Sequence, residues 1–398
     1  NIYIISGDAG TGKTRVIAEI VKNLEEKKIS YKCGGFTGKS VSKLRSVIGK
    51  NSPATLDRMI SQGVDELFDV LIIDEFSMVA LTLIYRFFKR FTHKFRLILV
   101  GDLKQLQVLG IGRLYLELTK SGIVPIGNLT DNYRIQITPN GPTNKIIVNG
   151  LGMFNVNDGE YFDFQTSTEF QLYNNDTIEP IKNILLMLKN LGIPAKDIVI
   201  LSFYNKHLPK LNKVFQEVYK TSDEFCIDSS GRVLYKNDRV THNCNCYESN
   251  LMNGDSGIIT SVSTDKIKVY FDAYDHTETF NTTIVTGDQM DYKEKDVSKI
   301  DVSFASSPDK YQGNEMPYVI AYCPTDPINK GFLDVHRLYT TMTRASVAFF
   351  CVGNMQAFLL GARTMSRFRH EKLAYRIRTA MRLTGIQEVV NEEDYNFD

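Results

Sequence analysis

The chain has 398 residues, enough for two or more packed domains, and its 43% hydrophobic content excludes a largely disordered protein. Its formal net charge is only +1, so a polyanionic partner would have to be held by local basic patches. The sequence contains no apolar run near the ~20 residues that span a bilayer and no signal-peptide pattern, and its six scattered cysteines are typical of a reduced, intracellular protein.

The first predicted element is a buried strand from Ile2 to Ser6, which leads into the sequence GDAGTGKT and then a predicted helix from Arg15 to Glu26. The spacing G-x-x-x-x-G-K-[ST] in this context is typical of a loop whose backbone N–H groups hold phosphates at a helix N-terminus. We expect Lys13 to reach the β- and γ-phosphates of ATP and Thr14 to offer its hydroxyl to Mg²⁺. The predicted nucleotide-binding residues here are Gly7, Asp8, Ala9, Gly10, Thr11, Gly12, Lys13 and Thr14.

Two short polar segments follow the next predicted strand, Ser30 to Phe36. The first is Thr37-Gly38-Lys39-Ser40, and the second, Ala54 to Arg58, opens another short helix. A polar loop at the carboxyl end of a strand in a P-loop protein is well placed to meet a ligand. An ordinary strand-to-helix turn explains the first segment equally well.

A third strand, Asp69 to Asp74, ends in two carboxylates. Beside a phosphate loop, Mg²⁺ needs an oxygen ligand at such a position, and a neighbouring carboxylate can deprotonate the attacking water. We therefore predict Asp74 as a metal ligand and Glu75 as the general base. Mere solvation of a strand end is the alternative.

The next strand, Arg96 to Val100, runs into Gly101-Asp102-Leu103-Lys104-Gln105-Leu106. A glutamine at this position could hydrogen-bond the γ-phosphate or the attacking water and report ATP cleavage, so Gln105 is a predicted catalytic residue.

With this strand the sequence resembles a known family. The ordered blocks GDAGTGKT, FTGKS, ATLDRM, IIDEFSM, VGDLKQL and NLTDNYR are similar to the motifs of superfamily 1 helicases, most of all the RecD-like branch that moves 5′ to 3′. In the second half, SPDKYQGNE from Ser307 resembles a further block, and LYTTMTRA from Leu338 resembles the block with an arginine finger. NGDSG from Asn253 resembles a turn of the small β-barrel found in that branch.

The resemblance implies roles for several residues. Arg134 and Arg344 would offset phosphate charge, the second from the second motor lobe, and Gln312 with Gly313 would contact the nucleotide. Contacts to a single strand would come from both lobes, and Lys310 could serve either ligand. The implied strand-binding residues are Thr37, Gly38, Lys39, Thr55, Asn253, Gly254 and Lys310. Asp57 and Asp309 stand where relatives usually carry histidine.

The second half also has a βα pattern of its own. Ile178 to Leu191 and Asn205 to Val218 are predicted helices around the buried strand Asp197 to Ser202, and Lys266 to Phe271 alternates as a half-buried strand does. The expected fold is α/β, with two RecA-like P-loop motor domains and a small β-barrel inserted in the second. Predicted domains are residues 1–135 for the first motor domain, 136–230 and 300–360 for the second, 231–299 for the insertion, and 361–398 for a basic helix with an acidic tail.

Two further features leave alternatives open. The cluster His242-Asn243-Cys244-Asn245-Cys246 suggests zinc, but a second ligand pair at suitable spacing is missing from the sequence, so a structural role is favoured. The region from Arg363 to Arg382 carries seven Arg or Lys residues against Glu371 alone. A solvated helix is the more common explanation of such a region, and phosphate contacts are the alternative.

The sequence therefore predicts a nucleic-acid-stimulated ATPase, and most specifically a DNA helicase that translocates 5′ to 3′ on single-stranded DNA. A viral-type superfamily 1 RNA helicase and a P-loop ATP switch without translocation remain as alternatives. The expected cofactors are ATP and Mg²⁺, and the expected location is intracellular, in the cytoplasm or nucleus, or in a host cell if the protein is viral. The first residue, Asn1, lies at the edge of the first strand, so we expect a piece trimmed upstream. No membrane partner is expected. The sequence does not fix the oligomeric state, and a monomeric motor is expected.

Overall fold

The computed structural model describes residues 2–48, 53–63, 67–106, 108, 110, 112–135, 137–138, 141–156, 160–244, 246, 249, 251, 253–271, 275–283, 296–325, 333–365 and 372–383. The chain divides into two compact units. Unit 1 comprises residues 1–148 and 365–398, and unit 2 comprises residues 149–364. Unit 1 is thus made of two segments of the chain, and unit 2 is the continuous segment between them.

Strands and helices alternate along the first segment of unit 1. They are β1 (Ile2–Gly7), α1 (Lys13–Glu26), β2 (Tyr31–Gly35), α2 (Gly38–Ile48), β3 (Ala54–Thr55), α3 (Leu56–Gln62), β4 (Val70–Asp74), α4 (Leu81–Arg90), β5 (Arg96–Gly101), α5 (Leu114–Lys120), β6 (Ile126–Leu129), β7 (Ile137–Thr138), β8 (Gly141–Pro142) and α6 (Lys145–Gly152), which crosses into unit 2. The strands predicted around the phosphate loop and the carboxylates are β1, β4 and β5.

Among the described residues of unit 1, six strands form one parallel sheet in the order β3-β2-β4-β5-β1-β6. Every residue of β4, VLIID, is buried, because helices cover both faces of the sheet. One layer packs around Phe76 and Phe87, and the other around Ile17 and Leu44. The carboxyl ends of all six strands therefore lie along one edge.

Unit 2 begins with a second α/β pattern, interrupted by short strands. Its elements are β9 (Phe170–Asn174), α7 (Glu179–Asn190), β10 (Ile198–Ser202), α8 (Leu208–Tyr219), β11 (Phe225–Ile227), β12 (Val233–Tyr235), β13 (Arg239–His242), β14 (Ser256–Val262), β15 (Lys266–Phe271), β16 (His276–Asn281), β17 (Ile300–Val302), β18 (Ala305–Ser306), β19 (Met316–Cys323), α9 (Val335–Met342), β20 (Ala345–Gly353) and α10 (Met355–Arg363). The described strands form a parallel sheet in the order β18-β10-β19-β20-β9. The predicted α/β class, with parallel sheets, is confirmed.

A separate antiparallel sheet joins β13 to β17 and has the order β16-β15-β14-β13-β17 in the described part of unit 2. The strand predicted at Lys266–Phe271 is β15. Its alternate residues Ile267, Val269 and Phe271 are buried in a core of their own, as the alternating sequence requires. The region predicted at 231–299 as an inserted β-domain thus contains most of this sheet.

The last described element is the helix α11 (Leu373–Leu383), which packs against α5 of unit 1. In the portion of the chain that the structure describes, no helix has the length and apolar character needed to cross a membrane.

Candidate nucleotide-binding site and strand-binding loops

The loop between β1 and α1 is shaped by glycines that no other residue could replace without strain. Gly10 and Gly12 have φ values of 90° and 83°. A Cβ atom on Gly7 would lie 2.4 Å from Thr11 Oγ1, and one on Gly10 would lie 2.8 Å from Asn132 Oδ1. In this part of the described chain no side chain caps the first turn of α1, and that turn has no acidic residue. The backbone N–H groups of the loop and helix are therefore suited to phosphate oxygens.

Lys13 lies folded across its own loop. Its Nζ donates to the carbonyl oxygens of Gly7 at 2.8 Å and Asp8 at 2.9 Å, and lies 4.0 Å from Asp102 Oδ2. Thr14, the second residue of α1, is half-buried beside it. The ammonium group is thus held at the mouth of the phosphate loop.

Asp74 and Glu75 lie where β4 ends. Asp74 is buried, its Oδ1 accepts from the backbone N–H of Glu75 at 2.9 Å, and Glu75 has a left-handed φ of 53°. Burial, followed by the adjacent Glu75 carboxylate, raises the pKa of Asp74 to about 7. Glu75 Oε2 is buried and has no hydrogen-bond partner among the described residues. Two crowded carboxylates, one with an unpaired oxygen, fit a hard divalent cation such as Mg²⁺.

The loop after β5 brings Gln105 to the same edge. Gln105 is buried, its Nε2 donates to Asp102 Oδ2 at 3.3 Å, and its Oε1 has no partner in the described chain. Ser77 Oγ is likewise buried without a described partner, and both residues line one small cavity with Asp102. Buried polar atoms without partners cost free energy, which is typical of a site that awaits a ligand.

The segment after β6 wraps the phosphate loop. Asn132 Nδ2 donates to the carbonyl oxygen of Ala9 at 2.8 Å. The backbone N–H of Tyr133 donates to the carbonyl oxygen of Gly10 at 3.0 Å. Arg134 packs so closely that a Cβ on Gly10 would lie 3.0 Å from its Cγ and Cδ. Arg134 is thus placed beside the predicted phosphate site of unit 1.

In unit 2, the predicted residues lie directly before two neighbouring parallel strands. Gln312 and Gly313 precede β19, and Arg344 precedes β20. Arg344 is buried, and its guanidinium donates from Nε to the carbonyl oxygen of Thr340 and from Nη1 to that of Asn314, both at 3.0 Å. Lys310 is exposed at the start of the same turn. The structure therefore brings Lys310, Gln312, Gly313 and Arg344 to one edge of this sheet.

The predicted strand-binding loops of unit 1 lie together. β2 and β3 are adjacent parallel strands, with Gly35 opposite Thr55, so the two loops after them share the carboxyl edge. Thr37 exchanges hydrogen bonds with Ser40, and Thr55 Oγ1 caps α3 by accepting from the backbone N–H of Arg58 at 3.3 Å. Gly38 begins α2, and the side chain of Lys39 lies outside the described part. α3 occupies Leu56–Gln62, directly after Thr55.

Asn253 and Gly254 form an exposed turn between β13 and β14. Gly254 has a φ of 96°, and a Cβ there would meet nothing within 4 Å. Its backbone N–H donates to the carbonyl oxygen of His242 at 2.8 Å. His242 and Cys244 approach to 3.8 Å, but the described residues contain no group of three or more metal-ligating side chains.

Asp57 and Asp309 each pair with an arginine. Asp57 Oδ1 lies 3.3 Å from Arg86 Nη1 at the surface, and Asp309 Oδ2 lies 2.5 Å from Arg337 Nη1 with little exposure. Each aspartate therefore makes an ion pair within its own unit.

Sequence reasoning assigned no role to three contributors to the site. Asp102 is buried and anchors Gln105, Lys104 closes an ion pair with Asp8 at 2.8 Å, and Asn132 holds the phosphate loop. Asp102 had a usable signal, because it follows a buried strand as Asp74 does. Lys104 contacts Asp8 and Asn132 contacts Ala9, and each pair is more than 90 positions apart in the sequence. Local sequence spacing therefore could not predict either contact.

Comparison with known proteins agrees with this geometry. Residues 1–111 match the family model of the AAA domain. The chain is 24% identical over 394 residues to the ATP-dependent RecD2 DNA helicase of Deinococcus radiodurans, covering 95% of this chain and 50% of that protein. The chain thus spans about half the length of the curated relative it matches.

Solved structures give the same fold. Bacteroides Pif1 bound to single-stranded DNA has a TM-score of 0.52 at 16% identity, and Pif1 from Bacteroides with ADP-AlF3 and single-stranded DNA has a TM-score of 0.50 at 16% identity. Each comparison covers 97% of this chain and 94% of the other. In sequence the chain is thus similar to a RecD2 helicase, and in fold it is similar to Pif1.

Proposed function

We propose that the chain is an ATP-dependent DNA helicase motor, in which single-stranded DNA stimulates ATP hydrolysis and hydrolysis drives movement 5′ to 3′ and duplex unwinding. The observation that carries the proposal is the carboxyl edge of the unit 1 sheet. There the phosphate loop, Lys13, Asp74, Glu75 and Gln105 follow three adjacent parallel strands, β1, β5 and β4. The similarity to a DNA helicase and to a protein solved on single-stranded DNA supports this substrate.

ATP would be held by the loop Gly7–Thr14, with Lys13 turning from the carbonyl oxygens of Gly7 and Asp8 toward the phosphates. Thr14 and Asp74 would hold Mg²⁺, which when bound supplies positive charge against the phosphate oxygens. Glu75 would take the proton of the attacking water, since its buried Oε2 has no described partner. Gln105, fixed by Asp102, would orient that water.

Positive charge for the transferred phosphoryl group would come from Arg134 and Arg344. Gln312 and Gly313 would contribute nucleotide contacts from the edge that Arg344 shares. In this proposal residues 1–135 are the first RecA-like domain, and residues 136–230 with 300–360 are the second. Residues 231–299 are a small β-barrel insertion, which the antiparallel order β16-β15-β14-β13-β17 supports, and residues 361–398 are a basic helix and tail.

A single strand would be contacted by the loops that follow β2 and β3 and by turns of unit 2. The residues are Thr37, Gly38, Lys39, Thr55, Asn253, Gly254 and Lys310. Lys310 and the turn at Gly254 are exposed, as strand contacts require. Such a motor would act where cellular or viral DNA and ATP occur together, inside a cell.

The test is steady-state ATP hydrolysis with and without single-stranded DNA, with single-stranded RNA as the comparison and Lys13→Ala as the inactive control. We expect DNA to stimulate turnover strongly and Lys13→Ala to abolish it. Stimulation by RNA alone would point to an RNA motor. Turnover indifferent to both polymers in a folded, ATP-binding protein would contradict the proposal and favour a switch.

A further inference from the structure

The C-terminal helix α11 is fixed to unit 1 by one face. The backbone N–H of Ala374 donates to the buried Glu117 Oε2 at 2.9 Å, and Arg378 Nη1 donates to the carbonyl oxygen of Lys120 at 3.1 Å. Ala374 is buried, and Ile377 packs against the unit 1 core. The orientation of α11 on α5 is therefore set by contacts along its inner face.

The opposite face of α11 is exposed, cationic and aromatic. Lys372, Tyr375, Arg376 and Thr379 are all exposed, and their spacing of three and four residues places them on one stripe of a helix. The Tyr375 side chain is 65% exposed. From Arg363 to Arg382 the sequence carries seven Arg or Lys residues and one acidic residue, in a chain whose net charge is only +1. Positive charge is therefore concentrated here.

α11 runs along α5 toward the amino edge of the sheet. α5 connects the carboxyl end of β5 to the amino end of β6, and both strands run parallel to β1. Lys120, the last residue of α5, therefore lies toward the amino edge of the sheet. Arg378 is bonded to Lys120. α11 thus extends toward the edge opposite to the phosphate loop.

We propose that Lys372, Tyr375 and Arg376 form an accessory binding face for single-stranded nucleic acid. The two cations contact backbone phosphates, and the tyrosine ring stacks on an unpaired base. Charge complementarity selects a polyanion, and the exposed ring between two cations selects a single strand over a duplex, whose bases are already stacked. The face adds to the strand contacts of the proposed motor and rests on the proposed function only for the class of its ligand.

The experiment measures binding of a fluorescent oligothymidylate by anisotropy over a range of salt concentrations, with a duplex of equal length as the second probe. Lys372→Ala/Arg376→Ala is compared with Lys22→Ala/Lys27→Ala, which removes the same charge from exposed positions at α1. We expect the α11 variant alone to raise the Kd for the single strand on the order of fivefold to tenfold and to lower the slope of log K against log salt by about 1.4.

Tyr375 separates stacking from charge. Tyr375→Ala should weaken binding of the single strand about tenfold or more and leave duplex binding unchanged, whereas Tyr375→Phe keeps the ring and should bind as the wild type does. The kcat for ATP at saturating DNA should remain at the wild-type value in every α11 variant, because the ATP edge is untouched.

The outcomes separate the two proposals. If the wild type shows strand-stimulated ATP hydrolysis but the α11 variants bind like the α1 control, the accessory face is overturned and the motor stands. Equal losses for duplex and single strand with no effect of Tyr375→Ala would also overturn it. If the wild type neither binds a strand nor responds to one, both proposals fail.

Discussion

The two parallel sheets carry their predicted site residues at opposite edges. In unit 1, the carboxyl edge carries Glu75 and Gln105, each with a buried oxygen that has no partner in the described chain. In unit 2, the same edge is closed by its own hydrogen bonds: Asp176 accepts from the backbone N–H of Thr325 at 3.0 Å, and Asn354 Nδ2 donates to Thr325 Oγ1 at 2.7 Å. Among the described residues, this edge therefore carries buried oxygens without partners in unit 1 and is a saturated edge in unit 2.

The motif residues of unit 2 lie instead at its amino edge. Gln312 precedes β19 and Arg344 precedes β20, whereas Asp74 and the phosphate loop follow their strands. Arg344 is held rigidly by two backbone carbonyl groups. Under the proposed function, unit 1 would supply ATP binding and proton transfer, and Arg344 of unit 2 would supply a positive charge.

The largest expected effect separates the two carboxyl edges. Glu75→Gln should lower kcat for ATP about 10³-fold, because it removes the general base, with the Kd for ATP changed less than about threefold. Asp176→Asn, at the saturated edge, should lower thermal stability and leave kcat near wild type. Single-turnover hydrolysis and equilibrium ATP binding measure both. A Glu75→Gln variant that retains a tenth of the wild-type rate would contradict the role of Glu75.

Two glycine substitutions, one in the phosphate loop and one in a turn of unit 2, separate the loss of ATP binding from the backbone strain of a left-handed residue. Gly10→Ala should weaken ATP binding about tenfold or more, because the added Cβ would lie 2.8 Å from Asn132 Oδ1 at a φ of 90°. Gly192→Ala in unit 2 has a similar φ of 76° with nothing within 4 Å, so it bears only the backbone strain of ~1–3 kcal/mol. Calorimetric titration with ATP and thermal unfolding measure the pair. Equal ATP affinity in both variants would refute the loop geometry.

The ion pair of Lys104 and Asp8 gives a smaller effect. Lys104→Ala should lower kcat a few-fold with an unchanged KM for ATP, because the half-buried pair contributes little to stability but ties the Gln105 loop to the phosphate loop. A double-mutant cycle with Asp8→Asn should show that the two substitutions are not additive. Strict additivity in kcat would show that the contact plays no part.

The smallest effect concerns buried carboxylates of the two units. In unit 1, burial raises the pKa of Asp102, and Lys13 opposes the shift. In unit 2, burial also tends to raise the pKa of Asp228, but hydrogen bonds from Ser230 and Arg232 outweigh it and lower the pKa. Stability from Asp228 is therefore fully present above about pH 4 and is lost as the pH falls through the lowered pKa.

Asp228→Asn should reduce the loss of unfolding free energy that accompanies a fall in pH through the pKa of Asp228. Urea unfolding of the wild type and the variant between pH 5 and pH 3 measures this change, with Asp163→Asn, at an exposed position of unit 2, as the control. If the free energies of unfolding of the wild type and Asp228→Asn fall in parallel with pH, the Arg232 pair does not stabilise unit 2.

The sequence predicts the parallel sheets well because their signals are local. The apolar runs that end in GDAGTGKT, Asp74 and Gly101 identify β1, β4 and β5, and alternation identifies β15. Element ends differ by one to three residues, as at α7 and α8, because ends depend on caps and tertiary contacts. The α/β class follows from the order of the elements alone.

The site is less fully predictable. Glycine, lysine and carboxylate positions follow from spacing, because phosphate binding requires them at fixed intervals. The anchoring of Gln105 by Asp102, the contact of Lys104 with Asp8 and the docking of α11 on Glu117 depend on which strands and helices become neighbours. Because tertiary packing determines these contacts, no local sequence pattern predicts them.

The proposed function requires both units for turnover, and Arg344 of unit 2 tests this requirement most directly. We would measure ATP binding and DNA-stimulated ATP hydrolysis for Arg344→Gln and Arg344→Lys beside the wild type, with thermal unfolding as the check of folding. We expect unchanged ATP affinity with a kcat lowered about 10³-fold in Arg344→Gln and incompletely restored in Arg344→Lys. A folded Arg344→Gln variant that hydrolyses ATP at the wild-type rate would contradict it.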